Sequence, residues 1–396
     1  MQYRIDSKSG NKLSVLGFGC MRFPRGINID FAKSEKLVLE AIDKGVNYFD
    51  TAYIYGGSED TLGKILHKNA VREKIFLATK LPHGKCKSYE DFDKYFNEQL
   101  KRLQTDHIDY YLIHNVSEMD DWQAVVDIGI ERWLAEKKAG GQISNIGFSF
   151  HGPQAVFLEL LDAYPWEFCQ IQYNYMNENY QAGKIGLQKA SDKGLAVIIM
   201  EPLLGGRLAG GVPKRAEHLF KSANPDITPA AWAMKWLWNQ PEVTVVLSGM
   251  NAFEQIADNL QTAENSDIGA LTDNELAVIE KVQAIFKESY KVSCTGCNYC
   301  MPCSHNVNIP GCFAAYNASY ANGFVTGMQQ YLTSTNALHS SGGMRVSNCA
   351  KCGACEKKCP QHIKITAELG QVRKRLEPLW IRVLLGIMRK STGRKK

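Results

Sequence analysis

The stretch Phe49-Asp50-Thr51-Ala52-Tyr53-Ile54-Tyr55-Gly56 decides the fold, because a short apolar run ends there in a group of ionisable and aromatic residues. Glu59 and Gly63 follow it closely. Two further strand candidates end in the same way, one at Lys80 and the next at His114. Polar residues at the carboxyl ends of consecutive parallel strands face the catalytic rim of a β/α barrel. The stretch therefore predicts a barrel with a reactive rim.

Strand and helix signals alternate outward from this stretch as far as Ser266. Eight nearly apolar runs are typical of parallel strands covered by helices, and eight strand–helix units favour a (β/α)8 TIM barrel, an α/β fold. An earlier pair of runs, Tyr3–Asp6 and Lys12–Val15, predicts a hairpin that could close the bottom of the barrel. The predicted strands are Leu16–Met21, Tyr48–Ala52, Ile75–Leu81, Asp109–Asn115, Ile143–Phe150, Phe168–Asn174, Leu195–Pro202 and Val243–Met250. The predicted helices include Phe31–Lys44, Tyr89–Leu103, Trp122–Lys138, Pro229–Asn239 and Thr272–Ser289.

Eight of the twelve cysteines form two tight groups near the carboxyl end. The second group has the complete bacterial ferredoxin spacing, including a proline after its last cysteine, and the first differs by one residue in its last gap. The groups are Cys294, Cys297, Cys300, Cys303 and Cys349, Cys352, Cys355, Cys359. Four-cysteine zinc sites also use such gaps, but they usually pair two dicysteine units across a longer loop. The spacing therefore favours two [4Fe–4S] clusters. By analogy with ferredoxins, Cys303 and Cys359 would each bind the cluster of the other group.

The segment between the two cysteine groups contains helix-like stretches at Tyr316–Tyr320 and Val325–Leu332. We therefore expect a small, mostly helical, ferredoxin-like iron–sulfur domain after the barrel. The expected organisation is a barrel at residues 1–289, a two-cluster domain at 290–366 and a basic amphipathic tail at 367–396.

The composition is that of an ordinary globular protein, with 45% hydrophobic and 22% charged residues. No apolar run near the start predicts a signal peptide, so we expect a cytoplasmic protein. The net charge of the chain is +5. Residues 364–396 contain ten Lys/Arg and two Glu, a local charge of +8, so residues 1–363 carry −3. We therefore expect no nucleic-acid partner. Most charged termini are solvated, although Leu379–Met388 with its flanking cations could bind a membrane surface peripherally or an acidic partner.

The barrel portion, roughly residues 1–290, resembles the aldo-keto reductase family. Leu16-Gly17-Phe18-Gly19 and Gly147-Phe148-Ser149 add to the resemblance of the opening stretch. It implies a catalytic tetrad of Asp50, Tyr55, Lys80 and His114, in which tyrosine supplies a proton to a carbonyl that receives a hydride.

The resemblance also implies which residues contact an NAD(P)H cofactor. It assigns Ser149 and Gln170 to the nicotinamide carboxamide, and Met200 occupies the position of the usual stacking aromatic residue. Positions that often carry basic residues for a 2′-phosphate hold Gly249 and Gln255, which weakens the case for NADPH and leaves NADH open. The full set adds Cys20, Met21, Leu203, Gly205, Arg207, Ser248, Asn251 and Asn259. The resemblance places Leu203–Arg207 at the pyrophosphate, and Ser248–Asn251 with Gln255 and Asn259 at the adenylate half.

Together the two halves predict an NAD(P)-linked oxidoreductase that couples barrel chemistry to two [4Fe–4S] clusters. A hydride carries two electrons and a cluster passes one, so coupling would generally call for a flavin such as FMN. The partners would be a small carbonyl substrate or a ferredoxin-like electron-transfer protein. Two alternatives stay open: a carbonyl reductase with structural or redox-sensing clusters, and a non-enzymatic electron carrier.

Overall fold

The computed structural model describes residues 1–337 and 343–382. The chain forms two compact units, each assembled from two separate segments. The first unit consists of Met1–Pro202 and Ala230–Thr272, and the second of Leu203–Pro229 and the chain from Asp273 onward.

The first unit is built on a closed barrel of eight parallel strands, which confirms the predicted (β/α)8 fold. All eight predicted strands are barrel strands, and each pairs with its sequence neighbour until the last pairs with the first. The strands are β3 (Leu16–Gly19), β4 (Tyr48–Asp50), β5 (Phe76–Leu81), β6 (Ile108–Val116), β7 (Ile143–Phe150), β8 (Phe168–Gln172), β9 (Ala196–Met200) and β10 (Val245–Ser248).

Helices cover the outside of this barrel and bury the outer faces of the strands. The helices of the first unit are α1 (Phe31–Asp43), α2 (Ser58–Lys68), α3 (Tyr89–Leu103), α4 (Met119–Val126), α5 (Ile130–Ala139), α6 (Gln154–Ala163), α7 (Gly183–Asp192), α9 (Pro229–Trp238) and α10 (Phe253–Glu264). The single helix predicted at Trp122–Lys138 is instead two helices. Gly129 separates them at φ +94°, a left-handed conformation that glycine adopts without steric cost.

Aromatic side chains fill the lower part of the barrel. Tyr110 packs edge-to-face on Phe168 at 4.9 Å between ring centroids, and on Tyr48 at 5.3 Å. Full burial of one such side chain contributes about 1.5–3 kcal/mol. The predicted hairpin is present as β1 (Tyr3–Ile5) and β2 (Lys12–Ser14), which pair antiparallel. The Tyr110 hydroxyl donates to Asp6 at 2.9 Å, so the hairpin closes this apolar end and leaves the opposite rim to polar residues.

The second unit is mostly helical, as predicted for the iron–sulfur part. Its helices are α8 (Lys214–Ala223), α11 (Asp273–Ser289), α12 (Ile309–Ala321), α13 (Phe324–Ser334) and α14 (Ile365–Leu376). Within this unit α8 packs on α11, and α12 packs on both α13 and α14. α12 starts earlier than the predicted Tyr316, because Asn308 caps its amino end by accepting from Gly311 N at 3.0 Å.

A second hydrophobic core holds this unit together and includes α14, which begins the predicted tail. Leu369, Val372 and Leu376 of α14 are buried there. Tyr331 ties the core to α14, because its hydroxyl donates to Glu377 at 2.8 Å and accepts from Val346 N at 2.9 Å. The rest of the predicted tail, residues 383–396, lies outside the described residues.

Candidate functional site

Lys80 and Asp50 form a buried ion pair at the carboxyl rim of the barrel. Lys80 ends β5 and is 1% exposed, and Asp50 ends β4 and is 4% exposed. Lys80 Nζ donates to both oxygens of Asp50, at 2.7 and 2.6 Å, and to Thr51 O at 2.7 Å. Burial raises the pKa of Asp50 and lowers the pKa of Lys80. The three short hydrogen bonds oppose both effects and favour the charged pair.

Tyr55 and His114 lie beside this pair. Lys80 Nζ is 5.0 Å from the centroid of the Tyr55 ring, and the Tyr55 and His114 rings meet edge-to-face at 5.8 Å. Burial first, and the nearby Lys80 ammonium second, hold the pKa of His114 well below its usual range. His114 is therefore neutral at physiological pH. The structure thus brings together all four residues of the predicted tetrad.

A buried polar network lies beside Lys80, and three of its members, Thr79, Gln99 and Arg102, were not singled out from the sequence. Glu59 accepts from Thr79 Oγ1 at 2.7 Å, from Gln99 Nε2 at 2.8 Å and from Arg102 at 3.1 Å. Gln99 Nε2 also donates to the backbone oxygen of Lys80 at 3.0 Å. Gln99 and Arg102 sit on α3 three residues apart, on one face of the helix. That spacing, opposite the buried Glu59, was the available signal.

Ser149 and Gln170 are neighbours across β7 and β8, where they are paired in register. Ser149 Oγ accepts from Asn115 N at 2.7 Å, which leaves its hydroxyl hydrogen to be donated elsewhere. Among the described residues, Gln170 Oε1 is buried without a hydrogen-bond partner, and so is Asn115 Oδ1. A carboxamide needs one donor for its oxygen and one acceptor for its nitrogen. Ser149 and Gln170 offer these, so they fit a nicotinamide.

Asn115 was missed by the sequence reasoning. It follows His114 directly and has φ +57°, a left-handed conformation that asparagine tolerates better than most residues. This backbone turn aims its N–H at Ser149. An asparagine immediately after a strand-end histidine was the only signal.

The residues predicted for the adenylate half order the turn between β10 and α10. Asn259 Nδ2 donates to Ser248 Oγ at 3.0 Å, and Asn251 N donates to Gln255 Oε1 at 2.8 Å. Gly249 lies against Arg22, since a Cβ at residue 249 would be 3.1 Å from the Arg22 Cβ. The basic side chain of Arg22 thus lies beside Gly249, a position that often carries a basic residue in the family but is glycine in this chain.

Three more predicted cofactor residues lie at the ends of β3 and β9. Cys20 and Met21 open a short turn after β3, and Met200 ends β9 next to the barrel core. Cys20 is buried, and burial, followed by the Asp50 carboxylate, raises the pKa of its thiol well above the usual value. Cys20 therefore stays a neutral thiol beside the ion pair.

Leu203, Gly205 and Arg207, predicted at a pyrophosphate, belong to the second unit. Gly205 has φ +68° and meets the backbone of Thr295, where an added Cβ would lie 1.8 Å from the carbonyl oxygen. Arg207 donates to Val292 O at 3.1 Å, and its guanidinium lies 5.3 Å from the centroid of the Tyr290 ring. Gly205 and Arg207 therefore contact residues on both sides of Cys294 in sequence, namely Thr295 and Val292.

One cavity in the second unit collects cysteines from both groups. Its walls are apolar and include Ile309 and Phe313. Its sulfur lining comes from Cys294, Cys297, Cys300 and Cys359. Burial raises the pKa of Cys294 to about 11 and that of Cys300 to about 12, so binding of a metal there would release protons.

The remaining cysteines show the reciprocal arrangement. Burial raises the pKa of Cys355, and the nearby thiols of Cys349 and Cys303 add to the effect. Cys303, from the first group, is thus close to members of the second group. Cys352, between Cys349 and Cys355 in sequence, is the most exposed of the eight.

Two family models match this chain. Residues 15–284 match the aldo/keto reductase family, and residues 293–364 match the 4Fe–4S dicluster domain. The first match covers more than half of the chain. The chain belongs to the aldo/keto reductase family. This aldo/keto reductase is thus an oxidoreductase with a carboxyl-terminal, ferredoxin-like 4Fe–4S domain.

Relatives of known name cover the barrel. The L-glyceraldehyde 3-phosphate reductase of Escherichia coli strain K12 is 25% identical over 71% of this chain and 92% of its own length. The L-galactose dehydrogenase of Arabidopsis thaliana is 27% identical over 71% of this chain and 94% of its own length. The holo structure of an aldo-keto reductase from Bacillus halodurans superposes with a TM-score of 0.59 and 26% identity, over 71% of this chain and 96% of that one.

In residues 1–337 and 343–382, no three Cys, His, Asp or Glu side chains are grouped closely enough to hold a single metal ion. The support for iron–sulfur clusters in this aldo/keto reductase comes from the match of residues 293–364 to the 4Fe–4S dicluster domain.

No helix in residues 1–337 and 343–382 combines the length and the apolar character needed to cross a bilayer.

Proposed function

We propose that this aldo/keto reductase uses NAD(P)H to reduce a small carbonyl compound at the rim of its barrel. The Lys80–Asp50 ion pair beside Tyr55 and His114 carries the proposal. Lys80 is 1% exposed, is paired with the Asp50 carboxylate and lies next to the Tyr55 ring. A buried charged group in such surroundings is typical of a residue that takes part in proton transfer.

Each tetrad residue has a separate task in this proposal. The Tyr55 hydroxyl gives its proton to the carbonyl oxygen as the hydride arrives. The Lys80 ammonium stabilises the phenolate that remains, and Asp50 holds the ammonium in place. His114 is neutral and can donate a hydrogen bond to the carbonyl oxygen without adding a charge.

The residues at β7 and β8 support a nicotinamide cofactor, which when bound supplies the hydride. The Ser149 hydroxyl and the Gln170 Oε1 atom offer the donor and the acceptor that a carboxamide needs. Gln170 also interacts with Asp50. The same residue would therefore link the cofactor position to the ion pair.

The names of two relatives support a small hydroxylated substrate. One is called an L-glyceraldehyde 3-phosphate reductase and the other an L-galactose dehydrogenase. We extend to this chain only the chemistry those names share, which is the interconversion of a carbonyl and a hydroxyl group on a small polyhydroxylated compound.

We also propose that the eight cysteines bind two [4Fe–4S] clusters with crossed ligation. Cluster I would be held by Cys294, Cys297, Cys300 and Cys359, and cluster II by Cys303, Cys349, Cys352 and Cys355. The cavity lined by the first set supports this grouping. Electron exchange between the clusters and the nicotinamide would need a carrier, such as a flavin, that accepts a hydride and passes its two electrons on singly. FMN stays a prediction, and no described contact supports it.

Replacement of Tyr55 tests the carbonyl reductase. We expect Tyr55→Phe to lower kcat/KM with a test aldehyde by about 10²–10⁴-fold, because general acid catalysis is lost. Binding of NADPH, followed by its fluorescence, should not change. Tyr53→Phe is the matched control: Tyr53 lies in the same loop but donates to Glu98 at 2.9 Å. Equal activities of Tyr55→Phe and Tyr53→Phe would refute the proposal and favour a non-enzymatic electron carrier.

Anaerobic titration with NADH and then NADPH tests electron exchange. Loss of the cluster absorbance, near roughly 400 nm for thiolate-bound iron, would support electron transfer from the nicotinamide to the clusters. If the clusters stay oxidised with both nucleotides, the protein is a carbonyl reductase with structural or redox-sensing clusters.

A further inference from the structure

The two cysteine groups differ in the charge and exposure of their surroundings. Between Cys294 and Cys303 the sequence has no charged residue. Between Cys349 and Cys359 it has three lysines and one glutamate, and another lysine follows at Lys364. Cys352 is exposed, whereas the other seven cysteines of the two groups are partly buried. Cluster II is therefore the one with an open approach.

We define the lysine face as Lys351, Lys357, Lys358 and Lys364, which are all exposed. Within residues 1–337 and 343–382, none of these four lysines forms an ion pair within 4 Å, although eighteen ion pairs of other groups are present there. Their charges are thus presented to solvent.

The single carboxylate among these lysines, Glu356, is partly exposed and bound to Thr366. Glu356 Oε1 accepts from the backbone N of Thr366 at 2.7 Å and from Thr366 Oγ1 at 2.6 Å. These bonds place the carboxylate at the amino end of α14, where the helix dipole favours a negative charge. Glu356 also attracts the charge of Lys364. The four lysines and this one glutamate together carry a net charge of 4 − 1 = +3.

The positive charge extends over the whole domain. Residues 290–382 contain ten Lys/Arg against three Glu and no Asp, a balance of +7. Of the three carboxylates, Glu377 is buried, accepts from Tyr331 and lies 3.5 Å from Arg345. A field of one sign raises the rate of encounter with an oppositely charged partner.

We propose that the lysine face is the docking site of a small, acidic, one-electron carrier protein, which exchanges electrons with cluster II through the exposed Cys352. The inference rests on the proposed binding of two [4Fe–4S] clusters, and Cys352 belongs to cluster II whether or not Cys303 and Cys359 are exchanged. In each encounter the reduced carrier loses one electron and cluster II gains one, with no bond made or broken. An acidic protein fits better than a lipid surface, because the charges surround a redox centre and no large apolar side chain is exposed between residues 351 and 364.

The test uses the full-length holoprotein and an acidic plant-type [2Fe–2S] ferredoxin as the probe. Calorimetric titrations at about 20 mM and about 200 mM salt measure the Kd without nucleotide, because screening separates charge-driven binding from other contacts. A variant with Gln at all four positions of the lysine face is compared with a charge-matched control. The control carries Gln in place of Lys33, Lys36, Lys44 and Lys64, which are exposed lysines of α1, α2 and the turn after α1.

We expect the lysine-face variant to weaken ferredoxin binding at low salt by tenfold or more, and the control to weaken it by less than threefold. A variant with Arg at the same four positions should bind like the wild type, and it keeps the test valid if the Gln variant loses its clusters. Stopped-flow reduction of the clusters by reduced ferredoxin should slow in parallel with binding.

Several outcomes would overturn the proposal. Equal weakening in the control would show a nonspecific charge effect. Unchanged ferredoxin binding in the lysine-face variant, combined with loss of its binding to phosphatidylglycerol vesicles, would assign the face to a lipid surface. A change only in the reduction potential of the clusters would show that the lysines tune cluster II. Because no titration contains nucleotide, failure of NADH to reduce the clusters would leave this result unaffected.

Discussion

Gly205 offers a sharp test of the contact between its turn and the first cysteine group. Gly205 and Gly206 are adjacent and have φ +68° and +96°. Alanine at either position therefore meets a similar backbone penalty, about 1–2 kcal/mol. Their surroundings differ, because a Cβ at residue 205 would lie 1.8 Å from Thr295 O, and a Cβ at residue 206 would meet nothing within 4 Å.

The extra cost of Gly205→Ala follows from this distance. The Cβ and the Thr295 oxygen must move from 1.8 Å to at least 3.0 Å, and the oxygen belongs to the backbone and not to a flexible side chain. Overpacking of this kind costs about 1–3 kcal/mol. We therefore expect a total of about 2–5 kcal/mol for Gly205→Ala and about 1–2 kcal/mol for Gly206→Ala.

The displaced residue is the neighbour of Cys294, so the strain should reach cluster I. We expect the cluster absorbance of Gly205→Ala to be lost on anaerobic heating about 3–10 °C below that of Gly206→Ala. Electron paramagnetic resonance of the reduced protein should show one altered cluster signal in Gly205→Ala. Equal melting temperatures and equal spectra for the two variants would refute the assignment of Gly205 to a close backbone contact.

Four further outcomes can be measured. Lys80→Met should lower the free energy of unfolding by about 3–5 kcal/mol, since it leaves a buried carboxylate unpaired, and the double variant with Asp50→Leu should recover part of the loss in urea denaturation. Because the pKa of His114 is lowered in the folded state, the unfolded chain binds a proton below about pH 6.5 that the folded chain does not bind. The free energy of unfolding should therefore fall by up to about 1.4 kcal/mol per pH unit as the pH decreases. His114→Gln should reduce this fall in melting curves recorded at a series of pH values. Cys359→Ser should remove cluster I, and the iron content should drop by about half although Cys359 belongs to the second group in sequence. Arg22→Gln should raise the Kd for NADPH more than the Kd for NADH in fluorescence titrations, because Arg22 lies against Gly249; equal changes would exclude a role at the 2′-phosphate.

The barrel could be predicted from sequence because each strand is a compact apolar run with its own boundary. All eight runs became barrel strands, and the rim residues followed from their place at strand ends. The helix predicted at Trp122–Lys138 was wrong in its continuity, because Gly129 within that range adopts a left-handed conformation and separates two helices. Periodicity alone does not distinguish a helical glycine from a left-handed one.

The sequence could not predict contacts that depend on strand register or on distant segments. The pairing of Ser149 with Gln170 requires the register of β7 on β8, which no local pattern encodes. Asn115 gains its position from a single left-handed turn. The contact of Arg207 with Val292 joins residues 85 positions apart, and only the folded chain brings them together.

The segment from Leu203 to Pro229 has a consequence for the order in which this protein is made. It leaves the ribosome in the middle of barrel synthesis, yet its companions in the second unit lie beyond Asp273. At a synthesis rate of about 5–20 residues per second, Val292 is added to the chain roughly 4–17 s after Arg207, since 85 positions separate them. The last barrel strand is complete during that interval. The barrel of the nascent chain can therefore close before the segment Leu203–Pro229 has contacted the residues beyond Asp273. Folding of the iron–sulfur part comes last.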